Sequence, residues 1–227
     1  MNRLYWVRHG ESVVNLTKQF SYRLVDLPLT PKGVLQAQQT AEWFLDKRIT
    51  AIYCSPLMRA AETAGIIGQR IGLPVAPMEE FREVNVGDLE KRTPNAADWV
   101  FNMNVMKAWF RGDVKVAFPG GEDYLTLVER FRSGFQSIMD HHSEANLLVV
   151  GHGGSFALTL KDLCPQVDID WLRKQEVENC SITEIRLECL DGRVQGELVS
   201  WARNDHLRGR AAEIVSGMPD GMEYGGE

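Results

Sequence analysis

Cysteine is scarce in this chain of 227 residues, and the four present, Cys54, Cys164, Cys180 and Cys189, never stand as a close pair. That excludes a Cys-x-x-Cys redox motif or a cysteine-based metal cluster, and a chain of this length buries enough surface to stand without disulfide staples. All four read as reduced packing residues. Positive charge is also short: 25 Lys and Arg face 31 Asp and Glu, for a net charge of -6. This balance argues against a nucleic-acid or anionic-membrane partner, so an anionic ligand must be held by locally focused cations. No apolar run reaches the roughly 18 residues of a membrane helix. No basic region followed by an apolar stretch and a cleavage site precedes the first predicted strand, so a cytoplasmic protein with no membrane partner is expected. Among the five histidines, the pair His141-His142 has no carboxylate or cysteine at ligand spacing and reads as favourable charge at a helix end. No metal and no cofactor are expected.

What is present is an ordinary globular composition, 44% hydrophobic and 25% charged, read as one domain over residues 1–227. Leu4-Tyr5-Trp6-Val7, Ala51-Ile52-Tyr53-Cys54 and Leu147-Leu148-Val149-Val150 read as buried strands. Thr30-Pro31 opens a helix, with Thr30 as N-cap and apolar residues at Val34, Ala37, Ala41, Phe44 and Leu45. A second helix runs from Arg59 towards Gly72, a third is capped by Glu122 or Asp123 and continues through Ile138, and a fourth begins near Ser155. Asp191-Gly192 suits a two-residue hairpin turn between 181–190 and 194–201, at one edge of the sheet. Buried strands alternating with amphipathic helices predict an α/β fold, a three-layer α/β/α sandwich around a mostly parallel sheet. From about Arg208 the chain is Gly-rich with no periodic apolar face, and a mobile tail is expected.

Three of these strands end in polar residues of matching type: Arg8-His9 after the first, Ser55 then Arg59 after the second, and His152 after the third. In a parallel sheet all three ends lie on one edge, where open α/β sheets keep their ligand crevices. Two Arg and two His converging there make a phosphate pocket. Arginine offers a fork of fixed-charge donors, a neutral imidazole can act as nucleophile, and Gly10 lets the backbone approach a ligand closely. For His9 to attack phosphorus, one ring nitrogen should donate to a backbone carbonyl and leave the other lone pair for the substrate.

Arg8-His9-Gly10-Glu11 with Asn15, Ser55-Pro56-Leu57-Met58-Arg59-Ala60 with Thr63, Arg82-Glu83, and Gly151-His152-Gly153-Gly154 resemble the histidine phosphatase superfamily, also called the phosphoglycerate mutase-like fold. Asn179-Cys180-Ser181 resembles a late motif of the same family. The resemblance implies His9 as the phosphoryl-accepting nucleophile, Arg8, Arg59 and His152 as the rest of the phosphate pocket, and Glu83 as the proton donor. It places Asn15, Ser21 and Gly153 with Arg8, Arg59 and His152 around the substrate, and Pro119-Gly120-Gly121-Glu122 resembles a phosphate-rim motif. Glu11 and Glu122 are the next carboxylates to consider as acid. Asn204-Asp205-His206 faintly resembles a further segment, and His206 is read as structural or at the pocket rim.

The family divides by what resolves phosphohistidine: water in a phosphatase, a second substrate hydroxyl in a mutase. Its mutases carry a Ser-Gly pair in the loop after the Asn and two adjacent arginines in the covering segment. Here these sites read Ser21-Tyr22 and Phe110-Arg111, while Gly87-Asp88-Leu89-Glu90-Lys91 departs from the usual Gly-x-Trp-Glu-Gly. A cofactor-free hydrolase acting on a small phosphomonoester is therefore expected. Phosphoglycerate mutase activity, which would need a bisphosphoglycerate primer, is the first alternative, and a weakly catalytic phospho-ligand binding module the second. A homodimer is left open. The aromatic and Met-rich segment 94–118 reads as core packing or as a lid over the leaving group.

Overall fold

A computed structural model describes residues 1–219. Four strands, β1 (Asn2–Arg8), β2 (Ala51–Cys54), β3 (Val75–Pro77) and β4 (Asn146–Gly151), run parallel in the order β3-β2-β4-β1. The antiparallel pair β5 (Ile182–Leu190) and β6 (Arg193–Arg203) extends the sheet beyond β1. The α/β class and the largely parallel sheet agree with the sequence reading. β3, only three residues long and lacking an apolar run, was not foreseen.

β1 is apolar on both faces because it lies inside the sheet, and its alternate side chains enter different cores. Tyr5 and Val7 pack with Ala41 of helix α2 (Pro31–Trp43) and with Ala60, Ala64 and Ile67 of α3 (Met58–Ile71), beyond the short α1 (Val13–Thr17). Leu4 and Trp6 pack with Trp99 and Met106 of α4 (Ala96–Phe110), with Phe131 and Phe135 of α5 (Tyr124–His141), and with Phe156 of α6 (Gly153–Leu163). Helices therefore cover both faces. The Trp6 indole stacks on Phe156 at 4.2 Å between ring centroids, and an added Cβ at Gly151 would sit 2.4 Å from that indole. Glycine at the end of β4 is what lets the Trp6 ring lie flat against the strand that leads to His152.

Local signals explain the boundaries. Thr30 caps α2 by accepting from Gly33 N at 3.0 Å with Pro31 in the first turn, although Val34 and Leu45 of the predicted apolar stripe are exposed. Of the two candidates for capping α5, Asp123 does so, accepting from Thr126 N at 2.8 Å. Asp191 and Gly192 both take positive φ, 50° and 75°, as the tight hairpin requires. Segment 94–118 contains α4, which had no helical stripe to reveal it because it is apolar nearly all round.

Two expectations change. Cys54, Cys164 and Cys180 are buried, but Cys189 on β5 is exposed, since the outer half of that edge hairpin leaves the core. The mobile tail expected from about 208 docks over its described part: Gln36 Nε2 donates to Ala211 O and Lys32 Nζ to Glu213 O, and Ala211 is buried against α2. This anchorage runs through backbone carbonyls, which apolar periodicity does not register. The remaining residues of the expected tail, 220–227, lie outside the described residues. No described helix is long and apolar enough to cross a membrane.

Candidate active site

The strand ends meet in register. Arg8 pairs with Gly151 across β1 and β4, and Cys54 pairs with Val150 across β2 and β4, so the residues that follow each strand leave the sheet together. His9 N donates to Gly151 O at 2.9 Å, and Ser55 N to Val150 O at 2.9 Å, carrying the ladder one residue further. Cys180, at positive φ, donates its N–H to Arg8 O, and Asn179 Nδ2 donates to His9 O at 3.0 Å. The late Asn-Cys-Ser stretch is thus a clasp on the backbone of Arg8-His9.

His9 is 3% exposed, and its Nδ1 lies 2.7 Å from Gly10 O. A carbonyl oxygen only accepts, so Nδ1 carries the proton and Nε2 holds the lone pair, as the sequence reading asked. Arg59 Nε donates to that Nε2 at 3.1 Å, and Arg59 Nη2 lies 3.1 Å from Nδ1 of His152. His152 must accept there, so its proton sits on Nε2 and is donated to Ser55 Oγ at 2.8 Å. One guanidinium therefore holds two neutral imidazoles. Burial, and after it the charges of Arg59 and Arg8, pushes the pKa of His9 well below the ordinary histidine value, against a smaller opposing effect of the Gly10 carbonyl. Burial and then Arg59 do the same to His152. Burial lowers the Arg59 guanidinium to about 10, partly offset by Glu83, and it stays charged at neutral pH.

A cavity of about 240 Å³ opens on this group, lined at its polar end by Arg8, His9, Asn15, Ser21, Arg59, Glu83 and Gly153. His152 is fully buried behind Arg59 and does not line it. Asn15 Oδ1 accepts from Ser12 N and Oγ and from Asn179 Nδ2, which leaves its amide nitrogen to offer a ligand. Ser21 Oγ accepts from Arg59 Nη1 at 2.6 Å and donates to Val25 O. The carboxylate of Glu83 caps the start of α6, accepting from Ser155 N at 2.6 Å through Oε1 and from Gly154 N at 3.3 Å through Oε2. The adjacent Arg82 turns away to Glu79 and Tyr22 O.

The other carboxylates are engaged elsewhere. Glu11 pairs with Lys32 at 2.7 Å and accepts from Thr30. Glu122 pairs with Arg130 at 2.8 Å and accepts from Asn85 N, so the predicted rim residue is a structural brace instead. Its partner Arg130 donates to the carbonyls of Glu80, Arg82 and Glu83 and thereby fixes the loop that carries Glu83. Glu90 Oε1 accepts four successive backbone N–H groups, from Tyr22 to Val25, at 2.6 to 3.0 Å. Glu90 and Arg130 were missed as site supports, since a carboxylate in a loop nest and an arginine on backbone carbonyls leave no spacing signature. His206 sits against Thr40 and Trp43, and burial lowers its pKa to about 4, so it is structural. His142 bonds Tyr53, and His141 lies 2.7 Å from Ser137 O. Among the described residues no group of three His, Cys, Asp or Glu is placed to hold a metal ion.

Residues 4–201 match the model of the histidine phosphatase superfamily, branch 1. "Putative phosphoserine phosphatase 2" of Hydrogenobacter thermophilus is 33% identical over 191 residues, covering 83% of this chain and 91% of its own. "Probable phosphoglycerate mutase GpmB" of Yersinia enterocolitica is 32% identical over 193 residues, covering 82% and 85%. Among solved structures, a mycobacterial glucosyl-3-phosphoglycerate phosphatase in complex with VO3 superposes with a TM-score of 0.75 at 25% identity, over 90% of this chain and all of that one. Relatives bearing both phosphatase and mutase names leave the reaction type open, but the family model spans most of the sequence, and the chain belongs to the histidine phosphatase superfamily.

Proposed function

We propose that the protein is a phosphomonoester hydrolase that works in two steps through a phosphohistidine at His9. The observation that carries this reading is the His9 imidazole, neutral by geometry, with its Nε2 lone pair directed into a cluster formed by Arg8 and Arg59. In the resting site Arg59 Nε occupies that lone pair. An incoming phosphate dianion competes for the guanidinium, draws its N–H groups onto phosphoryl oxygens and frees Nε2 for in-line attack. The Nε2–P bond forms as the ester P–O bond breaks, and Glu83 gives its proton to the departing alkoxide. Water then attacks phosphorus, Glu83 takes a proton from that water, and the N–P bond breaks to release inorganic phosphate. His152, hydrogen-bonded to Ser55 and Arg59, positions the guanidinium from behind.

Hydrolysis is favoured over mutase chemistry by the covering segment. Phe110 lines the cavity, whereas Arg111 caps the end of α4 in an exposed position, and Tyr22 lies beside Arg23 and Arg82. Neither mutase signature thus supplies a second anion-binding group inside the cavity. The test is trapping: enzyme quenched in base during turnover of a labelled monoester retains the phosphoryl label, and acid releases it. His9→Ala should keep its fold and lose turnover by at least about a thousandfold. Turnover of His9→Ala equal to wild type overturns the mechanism.

A further inference from the structure

Away from the phosphate end the cavity changes character. Phe20, Trp99, Met106, Phe110, Leu158 and Leu172 form its walls, with the Phe20 and Trp99 rings 4.6 Å apart between centroids. The remaining charged groups lining the cavity are Arg173 and, on either side of the Val177 carbonyl that accepts from Arg8, Glu176 and Glu178; its uncharged polar residues besides Asn15 and Ser21 are Gln19, Asn102, Gln175 and Ser216. Arg173 is paired with Asp170 at 3.3 Å and lies 6.0 Å from the Phe110 ring, while Glu178 accepts from Asn204. A second carboxylate or phosphate on the substrate would therefore leave water for an apolar wall, with one already paired cation to receive it and two carboxylates to oppose it. An apolar group suffers neither cost and displaces water from aromatic surface. At about 240 Å³ the space is small beside the roughly 300–1,000 Å³ of drug-sized ligand sites, which suits a ring-sized group.

We infer that the substrates are monophosphate esters of ring-sized, predominantly apolar alcohols in which the transferred phosphate is the sole anionic group. This deepens the phosphohydrolase reading and rests on it. Phe110 is the specificity-determining residue on α4, and the cavity discriminates by excluding charge as well as by admitting an apolar body.

Three esters of alkyl alcohols with similar leaving-group basicity separate the two ideas: 2-naphthylmethyl phosphate, glycerol 3-phosphate and 3-phosphoglycerate. With the full chain, kcat/KM should fall at least tenfold from the first to the second and at least tenfold again to the third. In Phe110→Arg the ratio of naphthylmethyl phosphate to 3-phosphoglycerate should drop at least tenfold. Acetyl phosphate, which carries almost no leaving group into the apolar region, supplies the independent control by labelling His9 directly. A base-stable label from acetyl phosphate with a flat or reversed order of esters overturns the substrate class and leaves the phosphohistidine chemistry standing. Failure to label His9 from acetyl phosphate or from any ester overturns the chemistry, and the substrate class falls with it.

Discussion

At the residue scale the site turns on what each polar atom already binds. Arg59 donates to both imidazoles and to Ser21, so its guanidinium is held in place before any phosphate arrives. This tethering keeps the guanidinium at the phosphate end of the cavity, so phosphate has only to draw the Arg59 N–H groups from their resting acceptors rather than recruit a cation from solvent. Glu83 is held as firmly, but by backbone donors at the start of α6. This gives Glu83→Gln a defined outcome. The amide oxygen can still accept from Ser155 N, so the loop keeps one of its ties, while the side chain loses any proton to give. Because kcat also contains hydrolysis of the phosphohistidine, where Glu83 acts on water for every ester, the test reads kcat/KM, which ends with departure of the alcohol: it should fall at least about a hundredfold on alkyl phosphates and less than about fivefold on a p-nitrophenyl ester, since a nitrophenolate leaves without a proton. Steady-state kinetics on the two classes checks it. Equal losses would mean that Glu83 holds the fold or the phosphate, and with Glu11 and Glu122 engaged in ion pairs the proton would have to come from solvent or from substrate.

At the scale of elements, the nucleophile is placed by backbone approach as much as by strand register. The first turn of α2 presses against the segment after His9 so closely that a Cβ on Gly33 would lie 1.9 Å from Glu11 O, and one on Gly10 would lie 2.6 Å from Gly33 O. Gly33→Ala should therefore move the Gly10 carbonyl that fixes the His9 tautomer. We expect a stability loss of roughly 1–3 kcal/mol by denaturant unfolding, together with at least about tenfold weaker vanadate binding. Unchanged vanadate affinity would show that α2 does not position the nucleophile.

The same level shows what was legible in sequence. β1, β2, β4, the hairpin and the capped helices α2 and α5 were readable because burial on both faces, a two-residue turn and an N-cap each leave a local signature. Arg8, His9 and Arg59 were legible because they sit at or just after strand ends, whereas Asn15, Ser21, Glu83 and Gly153 came from the family resemblance; all seven line one cavity. α4 was hidden because its solvent side carries Val100 and Phe101, 50% and 39% exposed, which erases the polar face that marks a surface helix. The cavity walls also include residues 214–218, which have no periodicity and lie far along the chain from the phosphate motifs.

At the scale of the whole molecule, the buried histidines link folding to pH. His9, His152 and His206 all have folded pKa values below the ordinary histidine value, because burial disfavours the imidazolium. Below about pH 6.5 an unfolded histidine takes up a proton that these folded ones refuse, so the unfolded state binds more protons and stability falls as pH falls. Above that pH all are neutral in both states and this contribution is flat. Each such imidazole tilts the stability curve by about 1.4 kcal/mol per pH unit between its folded and unfolded pKa values. For His206 the window runs from about 4 up to about 6.5. Carboxylates with lowered pKa values tilt the curve in the same direction in the lower part of that window, so the histidines must be isolated by difference. Urea unfolding of wild type and His206→Gln at pH 5 and pH 7 does this away from the active site. The variant should be less sensitive to pH by about 2 kcal/mol over that interval, the part of the window below pH 6.5 multiplied by the slope. The sign is what matters: if removing His206 steepened the loss on acidification, the imidazole would be charged in the folded protein, and its contact with Thr40 and Trp43 would have to be redrawn around a cation.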